Sequence, residues 1–299
     1  MSATPQALAP AGPAAAPAAP PWSVRRALSR LGAWVVRLLL ALLALSALYP
    51  LLFLTATALR TPTDYRSSPG GVPRALTTDN VSEAFTHVHV GTFALNSLLV
   101  VVPAVLVITV ASCLAAFALV HLDFPLRKGA LLLVVALMAL PPTALLIPVF
   151  KVVLGAGLLN RRLGLILVYS ALDLPFSIYL LASFMRSVPS ELLAAARIDG
   201  AGTLRTLWSV VIPLVRPGLL TLLTLNFLFL WNEFLFSLVI LQSEGDRTIM
   251  VGIAQFQGHF EKNFGIVCAG LLLSMIPPLL IFAFFQRDLA RGLTAGAVK

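Results

Sequence analysis

Six apolar stretches, at about residues 34–59, 92–120, 129–153, 163–185, 211–242 and 264–286, constrain this chain more than any other feature. A bilayer core of roughly 30 Å takes about 20 apolar residues per helix, and each stretch is long enough. In hydrocarbon the backbone must bond within its own segment, which favours helices over open strands. Hydrophobic residues at 59% against charged residues at 11% lie far from soluble composition. The sequence therefore reads as an all-α polytopic membrane protein with six transmembrane helices over residues 31–299. Residues 1–30 are Ala/Pro-rich and are expected to form a disordered tail. The first stretch exceeds the roughly 7–15 residues of a signal-peptide core, so it is expected to be retained although Ala56-Thr57-Ala58 mimics a cleavage site.

The net charge of +9 is sided. Suppose the N-terminus lies in the cytoplasm. The N-terminal flank, the loops at about 121–128 and 186–216, and the C-terminus then carry all the positive excess, and the remaining loops together are neutral. That is the positive-inside distribution with both termini cytoplasmic, and it argues against a nucleic-acid role for the charge. Arg161 and Arg162 are the exception, in a loop placed outside.

Soluble chemistry is sparse. No GxxxxGK[ST] phosphate loop and no GxSxG elbow occur in the sequence. His87 and His89 are the only close histidine pair, with no cysteine or carboxylate cluster to complete a metal site. Cys113 and Cys268 lie inside apolar runs and read as small packing residues. No enzyme active site and no cofactor are expected in this chain.

Polar groups at membrane depth are costly, so each is a candidate. Asp173, two residues before Pro175, either lines a polar cavity or satisfies backbone groups freed by the proline. Asn226 and the run Trp231-Asn232-Glu233-Phe234 combine ring, amide and carboxylate. That set suits a sugar, whose faces stack on rings, and equally suits interfacial anchoring with helix–helix hydrogen bonds. Asn96 and Ser97 read as packing groups between helices. Pro103, Pro141, Pro142, Pro148, Pro175, Pro213, Pro217, Pro277 and Pro278 predict kinks.

Residues 187–213 are too polar to span and too regular for a plain loop. Ser187 or Ser190 is expected to cap a short helix, with Pro189 in its first turn and Glu191 on its N-terminal dipole. Ala194, Ala195 and Ala196 permit close approach by a partner, Gly200 suits a left-handed stop, and Thr203 is expected to cap the next helix.

The run AAARIDG ending at Gly200, the nine residues Ala201–Ser209, and VVIP ending at Pro213 resemble the EAA motif of ABC-importer permeases. ARIDGAG, WNEF and the C-terminal RGLTAGAVK resemble more narrowly the carbohydrate permeases of the maltose-transporter type. The resemblance covers roughly residues 30–299. It implies the type I importer permease fold, with a cytoplasmic coupling helix inserted into a separate ABC ATPase that holds ATP and magnesium. It also implies a second related permease, an extracytoplasmic solute-binding protein, a sugar substrate, and residence in the bacterial cytoplasmic membrane. The implied coupling residues are Glu191, Ala195, Ala196, Arg197, Asp199, Gly200 and Ala201; Asp173, Asn226, Trp231, Asn232 and Glu233 are the candidates for the substrate pathway. The glutamate that opens the family motif falls on Ala194, and Glu191, close to the same helical face, is expected to take its part. An ion-driven secondary transporter is the competing class. It calls for an internal repeat and an intramembrane relay, for which only Asp173 and Glu233 are candidates.

Overall fold

The computed structural model describes residues 22–259 and 263–297. Among them no strand forms, and Arg60 with Leu76 makes the only isolated bridge. Helix α1, Trp22–Ala58, begins within the stretch 1–30 read as a tail, while residues 1–21 lie outside the described residues. The chain divides between Leu52 and Phe53 into two units, of which the first contains α1 up to Leu52.

The second unit carries α2 (Pro62–Ser67), α3 (Asp79–Thr86), α4 (Val90–His121), α5 (Arg127–Met138) and α6 (Leu146–Gly155). There follow α7 (Arg162–Met185), α8 (Ser190–Ile198), α9 (Thr203–Thr206), a π turn (Leu207–Val211) and α10 (Ile212–Leu214). The unit ends with α11 (Arg216–Trp231), α12 (Leu235–Ile240), α13 (Ile249–His259) and α14 (Phe264–Ala297). Among the described residues four helices are long and apolar enough to cross a membrane, rising to six if each of two bent pairs counts as one span.

Two of the kinks expected at proline, at Pro141-Pro142 and near Pro217, are sharp enough to break their spans. Pro141 and Pro142 offer no N–H, and a residue ahead of proline is pushed out of the α region. Pro141 accordingly sits at ψ 126°, and Pro142–Gly155 leaves at 92° to α5. The expected stretch 211–242 is cut twice. At Val215, just ahead of Pro217 in the first turn of α11, the chain turns by 82°. At Asn232–Phe234 the helix stops again, and the Glu233 carboxylate accepts the backbone N–H of Phe236 (2.8 Å) and of Ser237 (3.0 Å), capping α12. Pro103, Pro175 and Pro277-Pro278 lie within continuous helices.

Two apolar clusters organise this unit. One gathers Val100, Ala104 and Ile108 of α4, Leu165 and Tyr169 of α7, Phe227 and Trp231 of α11, and Cys268 and Ala269 of α14. The other joins Cys113 and Phe117 of α4 and Met185 of α7 to Leu193 of α8, Val211 and Leu222. Both cysteines are free and buried, as packing residues.

The Arg162 exception to the charge rule has a structural account. Its guanidinium donates to Asp246 (3.1 Å) and to Asn96 Oδ1 (2.9 Å), so its charge is paired locally. The Asn96 amide donates in turn to the carbonyls of Gly245 (2.7 Å) and Arg247 (3.1 Å), and Ser97 Oγ accepts the Ile249 N–H (2.9 Å). Asn96 and Ser97 thus pin the loop around 243–249 to α4.

A second polar clamp closes the segment between α1 and α4. Arg60, only 2% exposed, donates through Nε to Asp64 Oδ2 (3.0 Å) and through Nη1 to the Gly71 carbonyl (3.0 Å). Asn80 donates to the carbonyls of Ala58 and Arg60. The Arg60 hydrogen bond, with the Arg74 backbone N–H, holds the Asp64 carboxyl below the usual carboxylate range. A depressed folded pKa stabilises above the unfolded value and is lost as pH falls through the folded one. The protection factors of residues 60–80, exchange rates relative to the unfolded chain at the same pH, should therefore be constant from neutral pH down to the ordinary carboxylate pKa and fall only below it. Asp64→Asn should exchange rapidly at neutral pH already; protection equal to the parent chain there contradicts the clamp.

Candidate functional site

The segment after α7 is built by burial on one side only. Ser187 spends its hydroxyl on the Phe184 carbonyl (2.6 Å), and Pro189, in an extended conformation, takes the cap position of α8 with no side-chain cap bond. The expected caps by Ser187 or Ser190 are therefore absent. Leu193 and Ala196, three apart, turn inward, and Leu193 packs into the cluster of Met185, Val188, Leu207 and Val211. Glu191, Ala194, Ala195, Arg197, Ile198 and Asp199 remain outside.

Helix α8 ends in a Schellman turn. The Ala201 N–H reaches the Ala196 carbonyl (2.9 Å), the Gly200 N–H reaches Arg197 (3.1 Å), and Gly200 takes φ +76°. Thr203 does not cap α9: Gly202 does so by backbone geometry, and Thr206 Oγ1 donates back to its carbonyl (3.1 Å). Of the expected coupling residues, Glu191, Ala195, Arg197, Asp199 and Gly200 are exposed and Ala201 is half-buried. Ala196, at 8% exposure, belongs to the inner face. None of the ion pairs among the described residues involves Glu191, Arg197 or Asp199. Sequence reasoning missed the apolar part of this surface, where Ile198 stands 86% exposed and Leu204 63%. Exposed apolar groups beside unpaired charges mark a surface built for a partner.

The second constellation lies between α7 and the α11–α12 break. Tyr169, Asp173 and Phe176 fall at i, i+4 and i+7 on α7, and Phe229 and Glu233 at i and i+4 across the end of α11. With Thr143 and Leu235 they line an open cleft of about 390 Å³. Tyr169 OH donates to Glu233 Oε2 (2.7 Å), while Asp173 Oδ2 is buried without a partner among the described residues. Phe176 and Phe229 meet edge to face at 6.4 Å, with Phe229 60% exposed. Rings and carboxylate acceptors without a lining cation suit a ligand rich in hydroxyl donors.

The other expected pathway residues do not join this cleft. Asn226 is fully buried and donates to Ser177 Oγ of α7 (3.0 Å). Trp231 is buried, stacks on Phe227 at 5.5 Å and donates Nε1–H to the Ser274 carbonyl of α14 (3.0 Å). Both are helix–helix bonds, because a buried amide or indole N–H must find a partner. Asn232 returns its amide to Leu228 (2.7 Å) and faces a different groove, with Met250, Ser274 and Phe282. Tyr169, Phe176 and Phe229 were missed, although Tyr169 and Phe176 share the α7 face of Asp173 and Phe229 lies one turn before Glu233.

Among known families, the one described as "Binding-protein-dependent transport system inner membrane component" matches residues 92–294. The chain is 32% identical to the melibiose/raffinose/stachyose import permease protein MelC of Bacillus subtilis (strain 168), over 89% of this chain and 96% of that one. It is 34% identical to the trehalose transport system permease protein SugB of Mycobacterium tuberculosis, covering 85% and 93%. Among solved structures, a chain of a bacterial ABC transporter involved in import of the acidic polysaccharide alginate superposes with a TM-score of 0.76 at 24% identity, over 86% of this chain and 96% of that one.

Proposed function

The chain belongs to the inner membrane components of binding-protein-dependent transport systems, and on that premise we propose that it is the permease subunit of an ATP-driven sugar or oligosaccharide importer. Its partners in this reading are a cytoplasmic ABC ATPase that holds the ATP and magnesium, a second related permease, and an extracytoplasmic binding protein. The termini and α8 lie on the cytoplasmic side. The relatives' names, as permeases for melibiose, raffinose and stachyose and for trehalose, support a sugar as cargo.

The observation that carries the reading is the two-faced α8 segment. Leu193 fixes its inner face to α4, α7 and the start of α11. Its outer face, with Glu191, Ala195, Arg197, Ile198, Asp199, Gly200 and Ala201, meets the ATPase. Force applied to α8 moves α7 and α11 as one body, because the Asn226–Ser177 bond and the close seat of Gly218 on Phe184 join those two helices. Asp173 lies 12 residues before the end of α7, roughly 18 Å along the helix axis. Closure of the ATPase thus reaches the cleft through rigid packing rather than through a loop. In the cleft Asp173 and Glu233 accept sugar hydroxyls while Phe176 and Phe229 offer ring faces.

Ile198→Asp tests the docking. Fully burying an isoleucine contributes about 1.5–3 kcal/mol, so its loss should reduce ATPase co-purification roughly tenfold or more. Glu191→Ala, removing one rim charge, should cost a smaller factor of about two to five. Undiminished co-purification of the ATPase with Ile198→Asp contradicts this surface.

A further inference from the structure

A basic cleft lies where three apolar helices end together. It is walled by His121 at the end of α4, by Arg127 and Lys128 at the start of α5, and by Arg186 and Pro189 between α7 and α8. Its volume is about 810 Å³, ample for a polar headgroup. Arg127 is fixed there by the carbonyls of Leu119 (2.7 Å) and Val120 (2.9 Å), and it pairs with the exposed Asp123 (3.1 Å). Lys128 and Arg186 enter none of the ion pairs among the described residues. His121 Nε2 is buried without a partner among the described residues. Against the cations Arg127, Lys128 and Arg186 the lining holds one carboxylate, Glu191.

Such a site attracts an anion, and its position says which kind. The cleft sits at the mouth of the spans, with Leu119, Val120 and Leu131 in its wall and the exposed Leu132 and Leu133 continuing along α5. A ligand bound here meets charge at one end and hydrocarbon at the other. We propose that the cleft binds the phosphate of an anionic phospholipid headgroup, its acyl chains lying along α5. Basic groups near a bilayer surface favour anionic lipid. Because Pro189 and Glu191 form one wall, the bound lipid also braces the approach to α8.

The full chain, purified with its transporter partners into nanodiscs of mixed phosphatidylglycerol and phosphatidylcholine, tests this by native mass spectrometry. Phosphatidylglycerol should be retained about tenfold over phosphatidylcholine, and the preference should fall to near parity in the Lys128→Gln/Arg186→Gln double variant at unchanged thermal stability. Titration with inorganic phosphate separates the sources of the same chemistry. Retained lipid that phosphate fails to displace assigns the headgroup, whereas saturable phosphate binding lost in the double variant assigns a free phosphate to the same site. Equal retention of the two lipids with no phosphate binding overturns the site, as does a preference untouched by the double variant. Phosphatidylglycerol bound only when the ATPase is absent overturns the lipid in favour of an acidic protein surface.

Discussion

Gly200→Val is expected to lower ATP-coupled uptake roughly tenfold while the chain still inserts and accumulates normally. Gly200 closes α8 at φ +76°, where an L residue pays about 1–2 kcal/mol and a β-branched one is a marked outlier. Each 1.4 kcal/mol is a factor of ten in the population that keeps the turn. A Cβ built on Gly200 meets no atom within 4 Å, so the penalty is in the backbone and the core is untouched. The Ala201–Ala196 and Gly200–Arg197 bonds open first, and they set the direction in which Ile198 and Asp199 point. Gly200→Ala should show the same defect at about a few-fold, since its penalty is smaller. Uptake and ATP hydrolysis measured on the same reconstituted complexes check this: hydrolysis should persist as transport fails. Unimpaired uptake by Gly200→Val removes the turn from the coupling path.

Asp173→Asn should reduce uptake about ten- to a hundredfold, the value of one hydrogen bond to a charged group, without loss of assembly. Its Oδ2 has no partner among the described residues, so replacement by an isosteric amide breaks no bond among them. Glu233 differs, because its carboxylate also caps α12 and accepts from Tyr169. Glu233→Gln should consequently lower both assembly and uptake. Concentration-dependent uptake separates the two: Asp173→Asn should act on transport at normal complex levels. Parent-like uptake by Asp173→Asn would place the substrate elsewhere.

The spans were legible because apolar length alone dictates them, as in α4 and α7. Their bends were legible in part: missing N–H groups and a displaced neighbour mark Pro141-Pro142 and Pro217 as breaks, but the same signal at Pro103, Pro175 and Pro277-Pro278 sits inside continuous helices. The α8 segment was legible in its glycine stop, since one residue type suits φ +76°, but its caps were misassigned because several hydroxyls stood within reach of the same turn. Asn226 and Trp231 show a deeper limit. An amide or indole at membrane depth has the same signature whether it faces a ligand or a neighbouring helix, and only the Ser177 and Ser274 partners decide. Ile198 was hidden for the converse reason, since an isoleucine in an apolar chain draws no notice until it proves exposed.

The central claim is that a separate ATPase drives this permease through α8. Uptake of the cognate sugar should be measured in cells whose ATPase partner has lost its phosphate-binding lysine, and in intact cells treated with a protonophore while ATP is maintained. The account predicts uptake abolished in the first and preserved in the second. Uptake that survives loss of ATPase activity and collapses with the ion gradient contradicts it and makes the chain an ion-driven carrier.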